Sequence, residues 1–202
     1  MIRLVRNRHE VPPILAPLPD VTTARLDLRR FEPRDLDELA AVFALEEVWR
    51  FPFERGLARS ETKRFLDGQI ANWNKLGFGI WAARTLDDGR LIGFVGISVP
   101  RFLPEILPAV EVGWRLSPSA WGYGYATEGA AAALDQSFTT LGLDSVYSVP
   151  QAGNPRSARV AERLGMSLLR QVDIPANQRR GAIVGLLYEM SRQDWLRHRG
   201  SG

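Results

Sequence analysis

The 202-residue chain is 45% apolar, enough for a packed core and suited to a single domain. Its 26 basic and 23 acidic residues leave a net charge of +3, and no Lys/Arg run exceeds a pair, so no nucleic-acid partner is expected. The absence of cysteine excludes disulfides, thiolate metal sites and a cysteine nucleophile, and histidines only at His9 and His198 argue against a Ser-His-Asp triad or a histidine metal site.

Residues 1–20 read as an extended arm. Prolines at 12, 13, 17 and 19 oppose a helix, and charge breaks up the apolar stretches a signal peptide would need. No apolar run approaches the roughly 20 residues of a membrane-spanning helix. Leu26 and Leu28 alternate with charge and predict a strand. Pro33 then opens a helix with Leu36, Leu39, Ala40 and Phe43 on one face. The segment "VWRFPFERG" places Trp49, Phe51 and Phe53 before a second helix that begins near Ser60 and turns Leu66, Ile70 and Trp73 inward.

"FGIWAAR", "DDG" and "LIGFVGISV" predict a hairpin. A proline-punctuated loop with Glu105 follows. "AVEVGWRL" then alternates Val110, Val112 and Trp114 against Glu111, Gly113 and Arg115, as a strand does. After "WGYGYATEG" comes a helix to about Phe138 and a short strand at 145–149. "NPRSARVAERLGM" is a well-punctuated helix, with Asn154 as cap, Pro155 in the first turn and Gly165 at the close. Strands at 168–172 and 183–190 complete an α/β domain over 21–196, and 197–202 reads as a flexible tail.

The glycine loop can do chemistry. A helix start leaves N–H groups without partners and carries partial positive charge, which together favour a phosphate. Gly122, Gly124 and Ala126 are small enough to let a pyrophosphate reach the backbone. A ligand-free turn would need the same glycines. No GxxxxGK[ST] is present, and the glycine pair is followed by Thr127 where GxGxxG requires glycine, so a P-loop and a dinucleotide fingerprint both fail.

"EVGWRLSPSAWGYGYATEGAAAAL" followed by "GNPRSARVAERLGM" resembles the GNAT superfamily of acyl-CoA-dependent N-acetyltransferases, and within it the RimJ/RimL-type branch. The likeness extends from about "TARLDLRRF" to "LYEMSRQDW". It implies a mixed, mostly antiparallel central sheet of about seven strands flanked by about four helices. It also implies acetyl-CoA as cosubstrate, with no metal. The superfamily's pyrophosphate loop falls on Trp121, Gly122, Tyr123, Gly124, Tyr125 and Ala126, with Thr127 beside it. Trp121 departs from the usual Gln or Arg, so that side-chain contact is lost or replaced while the backbone donors remain. Leu116 and Ser117 would offer backbone groups to the pantetheine arm, and Asn154 would cap its helix and touch CoA.

For catalysis the resemblance nominates Glu111 as the base, direct or through water, Ser157 as partner of the leaving sulfur, and Tyr188 as the reserve acid. Structural readings stand beside each: a Glu111–Arg115 ion pair, a Ser157 hydroxyl bonded to its own backbone, a half-buried strand tyrosine. Trp49, Phe51 and Phe53 wall the acceptor site or simply fill the core, and Glu105 is a candidate partner for a cationic amine. The acceptor implied is a primary amine, either a protein N-terminus or a small molecule. No nucleic-acid or membrane partner is expected; a cytoplasmic homodimer is. A non-catalytic CoA-binding regulatory module is the alternative, and a nucleotide-binding oxidoreductase is disfavoured by the failed GxGxxG.

Overall fold

Leu26 and Leu28 are fully buried while Asp27 and Arg29 between and after them are not, so the alternation does build a strand, β2 (Leu26–Arg29). The computed structural model describes residues 17–178 and 180–200. A short strand, β1 (Val21–Thr22), pairs with β2; two residues are too few to show a period in sequence. The expected hairpin is β3 (Ile80–Thr85) against β4 (Leu91–Ser98). Four more strands follow: β5 (Glu111–Leu116), β6 (Ser145–Ser148), β7 (Ser167–Ile174) and β8 (Ile183–Ser191). They form an eight-stranded sheet in the order β1-β2-β3-β4-β5-β6-β8-β7. All neighbours are antiparallel except β5 and β6. The expected mixed, mostly antiparallel α/β (α+β) architecture is therefore present, with one more strand than read from the sequence.

Helices cover both faces. On one lie α1 (Leu36–Phe43), α2 (Glu46–Phe53) and α3 (Arg59–Leu76), whose Leu39, Phe43, Trp49 and Leu66 pack on Ile80 and Ala82. On the other, α4 (Tyr125–Thr139) and α5 (Pro155–Arg163) pack Ala130, Leu134, Phe138, Ala158 and Ala161 against Val95, Val112 and Leu116. Their starts sit at the end of the sheet where β5 finishes. Asn154 Oδ1 accepts the Ser157 N–H at 3.2 Å, the cap read from the sequence. Asn154→Ala is expected to cost about 1 kcal/mol, seen as a thermal midpoint lower by about 2–4 °C.

Three sequence expectations are corrected. The "VWRFPF" segment is not a connector but α2 itself, with Glu46 and Glu47 in its first turn. It breaks at Phe51 (φ −111°, ψ 116°), the residue that Pro52 pushes out of the helical region. The chain also does not end its folded part at 196: α6 (Arg192–Gly200) follows β8 directly. Trp195 holds it down, with its ring 5.2 Å from Phe138 and its Nε1 donating to Asp135 Oδ1 at 2.8 Å. A single aromatic anchor gives no helical period to read. Of the N-terminal arm, residues 1–16 lie outside the described residues, but Leu18 is fully buried and its N–H donates to Gly77 O at 2.8 Å.

One sheet feature prepares the site. β4 pairs with β5 along all of Glu111–Leu116, whereas β6 meets β5 only at Glu111 opposite Tyr147. The two parallel strands splay apart beyond that point. The β6-facing backbone of Val112–Leu116 is thereby left without a strand partner among the described residues.

Candidate functional site

The loop at the end of β5 presents bare donors. Gly122 and Gly124 both have φ of 84°, a left-handed conformation that favours glycine. The first bond of α4 is Glu128 N–H to Gly124 O at 3.0 Å. The N–H groups of Gly122, Tyr123, Gly124, Tyr125, Ala126 and Thr127 therefore find no acceptor among the described residues. A Cβ on Gly122 would meet nothing within 4 Å, so packing within the chain does not require glycine there. The loop is a concave row of N–H groups at the positive end of α4, the geometry an anion needs.

Two side chains brace the loop. Arg25, beside β2, donates from Nη1 to Tyr123 O at 2.8 Å and from Nε to Glu128 Oε2 at 2.7 Å. Glu128 Oε1 also accepts from Thr23 Oγ1 at 2.6 Å and from the Arg25 N–H at 2.8 Å. These contacts neutralise a carboxylate that would otherwise repel an anion. Trp121 Nε1 donates to Leu116 O at 2.8 Å, and its N–H to Pro118 O at 3.1 Å. Of the expected pair Leu116 and Ser117, some backbone groups are already engaged. The Leu116 carbonyl is occupied by Trp121, and the Ser117 N–H donates to Ile92 O at 2.7 Å. The open backbone lies on the splayed β6 side of β5, and the Leu116 N–H is part of it.

Glu111, at the start of β5, faces the α1–α3 side. Its Oε1 accepts from Ser98 Oγ at 2.9 Å, Ser98 being its partner in register on β4. Burial pushes the Glu111 carboxyl up to about 7, with the Ser98 hydrogen bond pulling the other way. The Glu111–Arg115 ion pair does not form. Arg115 Nη1 donates instead to Val48 O, and its guanidinium carbon lies 3.9 Å from the centroid of the Trp49 ring. The reason is Pro52. In an unbroken α2 the Val48 carbonyl would accept the N–H of residue 52, which proline lacks, so Arg115 supplies the missing donor. Burial lowers Arg115 to about 10, still charged at neutral pH.

Ser157 sits in the first turn of α5, and its hydroxyl makes no hydrogen bond among the described residues, so the backbone-bonded alternative is not seen. Tyr188 is different. Its ring is buried in the core under α5, and its hydroxyl donates to Glu162 Oε1 at 3.2 Å. Burial, then the Glu162 hydrogen bond and charge, raise its pKa. A phenol held on a carboxylate is a poor proton source, and this contact is the one a packed strand tyrosine would make. Tyr188→Phe is expected to leave turnover within about twofold while lowering the thermal midpoint by a few degrees, the worth of about 1 kcal/mol.

The acceptor-side expectations fare unevenly. Trp49 is core, stacked on Phe53 at 5.4 Å and edge-on to Phe43 at 5.0 Å. With Phe53 and Phe65 it nevertheless lines a cavity of about 120 Å³ that also exposes Arg55 and Glu61. Glu105 is already paired, with Arg170 Nη2 at 2.6 Å. Sequence reading missed Ser98, Arg25 and Arg156, the last of which lies over the Trp121 ring. Strand register and contacts across a hundred residues leave no local signal.

The model of the acetyltransferase (GNAT) domain matches residues 25–167. The chain is 31% identical to YkkB of Bacillus subtilis (strain 168) over 148 residues, covering 72% of this chain and 84% of that protein. It is 28% identical to YoaA of the same organism, named an N-acetyltransferase, over 76% of this chain and 87% of that protein. Among solved structures, an acetyltransferase from Agrobacterium tumefaciens str. C58 superposes with a TM-score of 0.69 at 28% identity, covering 90% of this chain and 99% of that one.

Proposed function

The chain belongs to the acetyltransferase (GNAT) domain family, and on that premise we propose that it is an N-acetyltransferase of the RimJ/RimL type, moving an acetyl group from acetyl-CoA directly to a primary amine. The acceptor is a protein N-terminus or a small amine. The observation that carries this reading is the run of unpartnered N–H groups from Gly122 to Thr127 at the start of α4. Those donors take the pyrophosphate. The open β6-side backbone of β5 takes the amides of the pantetheine arm, as a strand edge takes a peptide.

The thioester then lies near Glu111. The amine arrives as ammonium and must lose a proton before it attacks. Glu111, with a pKa about 7, accepts that proton directly or through one water. The nitrogen bonds the thioester carbon, the carbon–sulfur bond breaks, and the CoA thiolate leaves, the second proton passing from the nitrogen to that sulfur or to solvent. The free Ser157 hydroxyl hydrogen-bonds the departing sulfur. With no cysteine in the chain, no thiol acyl-enzyme is formed. The lack of cysteine also suits a reducing cytoplasm, where the same reading places the protein as a homodimer.

Calorimetric titration with acetyl-CoA, with NADH and ATP as controls, tests this first. One-site binding of acetyl-CoA alone, followed by acetylation of peptides or small amines, is expected. Binding without turnover across both acceptor classes would make the chain a CoA-binding regulatory module. Preferential binding of NADH would overturn the donor assignment.

A further inference from the structure

We propose that Arg156 is a phosphate ligand, holding the pyrophosphate of CoA from the side opposite the loop backbone. The proposal rests on the acetyl-CoA reading above. Trp121 heads the loop but offers an anion nothing, since its N–H and its Nε1 are both spent on Pro118 O and Leu116 O. Those two bonds fix the indole, and the fixed indole is a platform. The Arg156 guanidinium carbon lies 4.8 Å from its ring centroid.

That position has no evident structural benefit for Arg156. It is exposed, in the first turn of α5, where a cation opposes the helix dipole. No carboxylate pairs with it among the described residues. The ring face holds the guanidinium in place while its N–H groups make no hydrogen bond among the described residues. Gly122, where the unpartnered N–H row begins, is the next residue after Trp121. An anion on that row meets a guanidinium already immobilised, the arrangement that favours bidentate phosphate binding.

The test is calorimetry of CoA and 3′-dephospho-CoA against four proteins: wild type, Arg156→Ala, Arg156→Lys and Arg163→Ala. Arg163 lies at the far end of α5 and controls for loss of one charge on the same helix. Arg156→Ala is expected to weaken both ligands about tenfold, the worth of a charge-assisted hydrogen bond, with an unchanged melting midpoint. Arg156→Lys should fall between, keeping charge without the fork, and Arg163→Ala should stay within about twofold. Loss for CoA alone would assign Arg156 to the 3′-phosphate and overturn the pyrophosphate contact. Equal loss in Arg163→Ala would mean a general field, and no loss in Arg156→Ala a bystander cation. Failure of the wild type to bind either ligand would instead sink the acetyl-CoA reading itself.

Discussion

Glu111→Gln is expected to lower turnover about a hundredfold at pH 7 with acetyl-CoA affinity unchanged, the low end of what a positioned general base contributes. Glutamine keeps the shape and still accepts from Ser98 Oγ, but it cannot take a proton. The pH profile sharpens the test. A carboxyl raised to about 7 makes wild-type kcat/KM climb with pH through that value and then level off. The variant should lose that step.

Stability moves the opposite way from activity. An unfolded glutamate titrates near 4.3, so between about pH 4 and 7 the folded state binds more protons than the unfolded one. Unfolding free energy therefore falls as pH rises through that window, and glutamine removes the slope. Glu111→Gln should accordingly melt no lower than wild type at pH 8. Equal loss of turnover and affinity, with a lower midpoint, would make Glu111 a structural residue.

The elements legible in sequence are those whose signal is local. α5 is punctuated by Asn154, Pro155 and Gly165 within its own dozen residues, and the β3–β4 hairpin by two apolar runs around one turn. The glycine loop belongs with them, because a helix start and its donors are defined by neighbours. α2 was missed because Phe51–Pro52 announces a break while the preceding turn is still helical. The partners around the site were missed for a different reason. Ser98 meets Glu111 only through strand register, Arg25 reaches Glu128 across the fold, and Arg115 answers a carbonyl that Pro52 left open on another element. Each is decided by tertiary packing. At Leu116 and Ser117 packing likewise decides which backbone groups stay open, since Trp121 folds back onto the Leu116 carbonyl and β4 takes the Ser117 N–H.

Gly124→Val is expected to weaken acetyl-CoA by at least about a hundredfold while leaving a folded protein, more than any single side-chain contact supplies. Gly124 sits at φ 84°, midway along the row of free N–H groups. A β-branched side chain there stands where the anion must approach, and its Cβ would already lie 3.4 Å from Arg25 Nη2. The left-handed backbone adds about 1–2 kcal/mol of strain, so the melting midpoint should fall by several degrees without loss of cooperativity. Strain and obstruction are separated by Gly124→Ala, which carries most of the backbone cost and little of the bulk. If the loop receives a pyrophosphate, the two variants melt alike but valine binds far more weakly than alanine. If they bind alike and melt alike, the glycine serves the turn's conformation rather than a ligand. Unchanged affinity in Gly124→Val would place the anion elsewhere, because no pyrophosphate could reach those N–H groups past an isopropyl group.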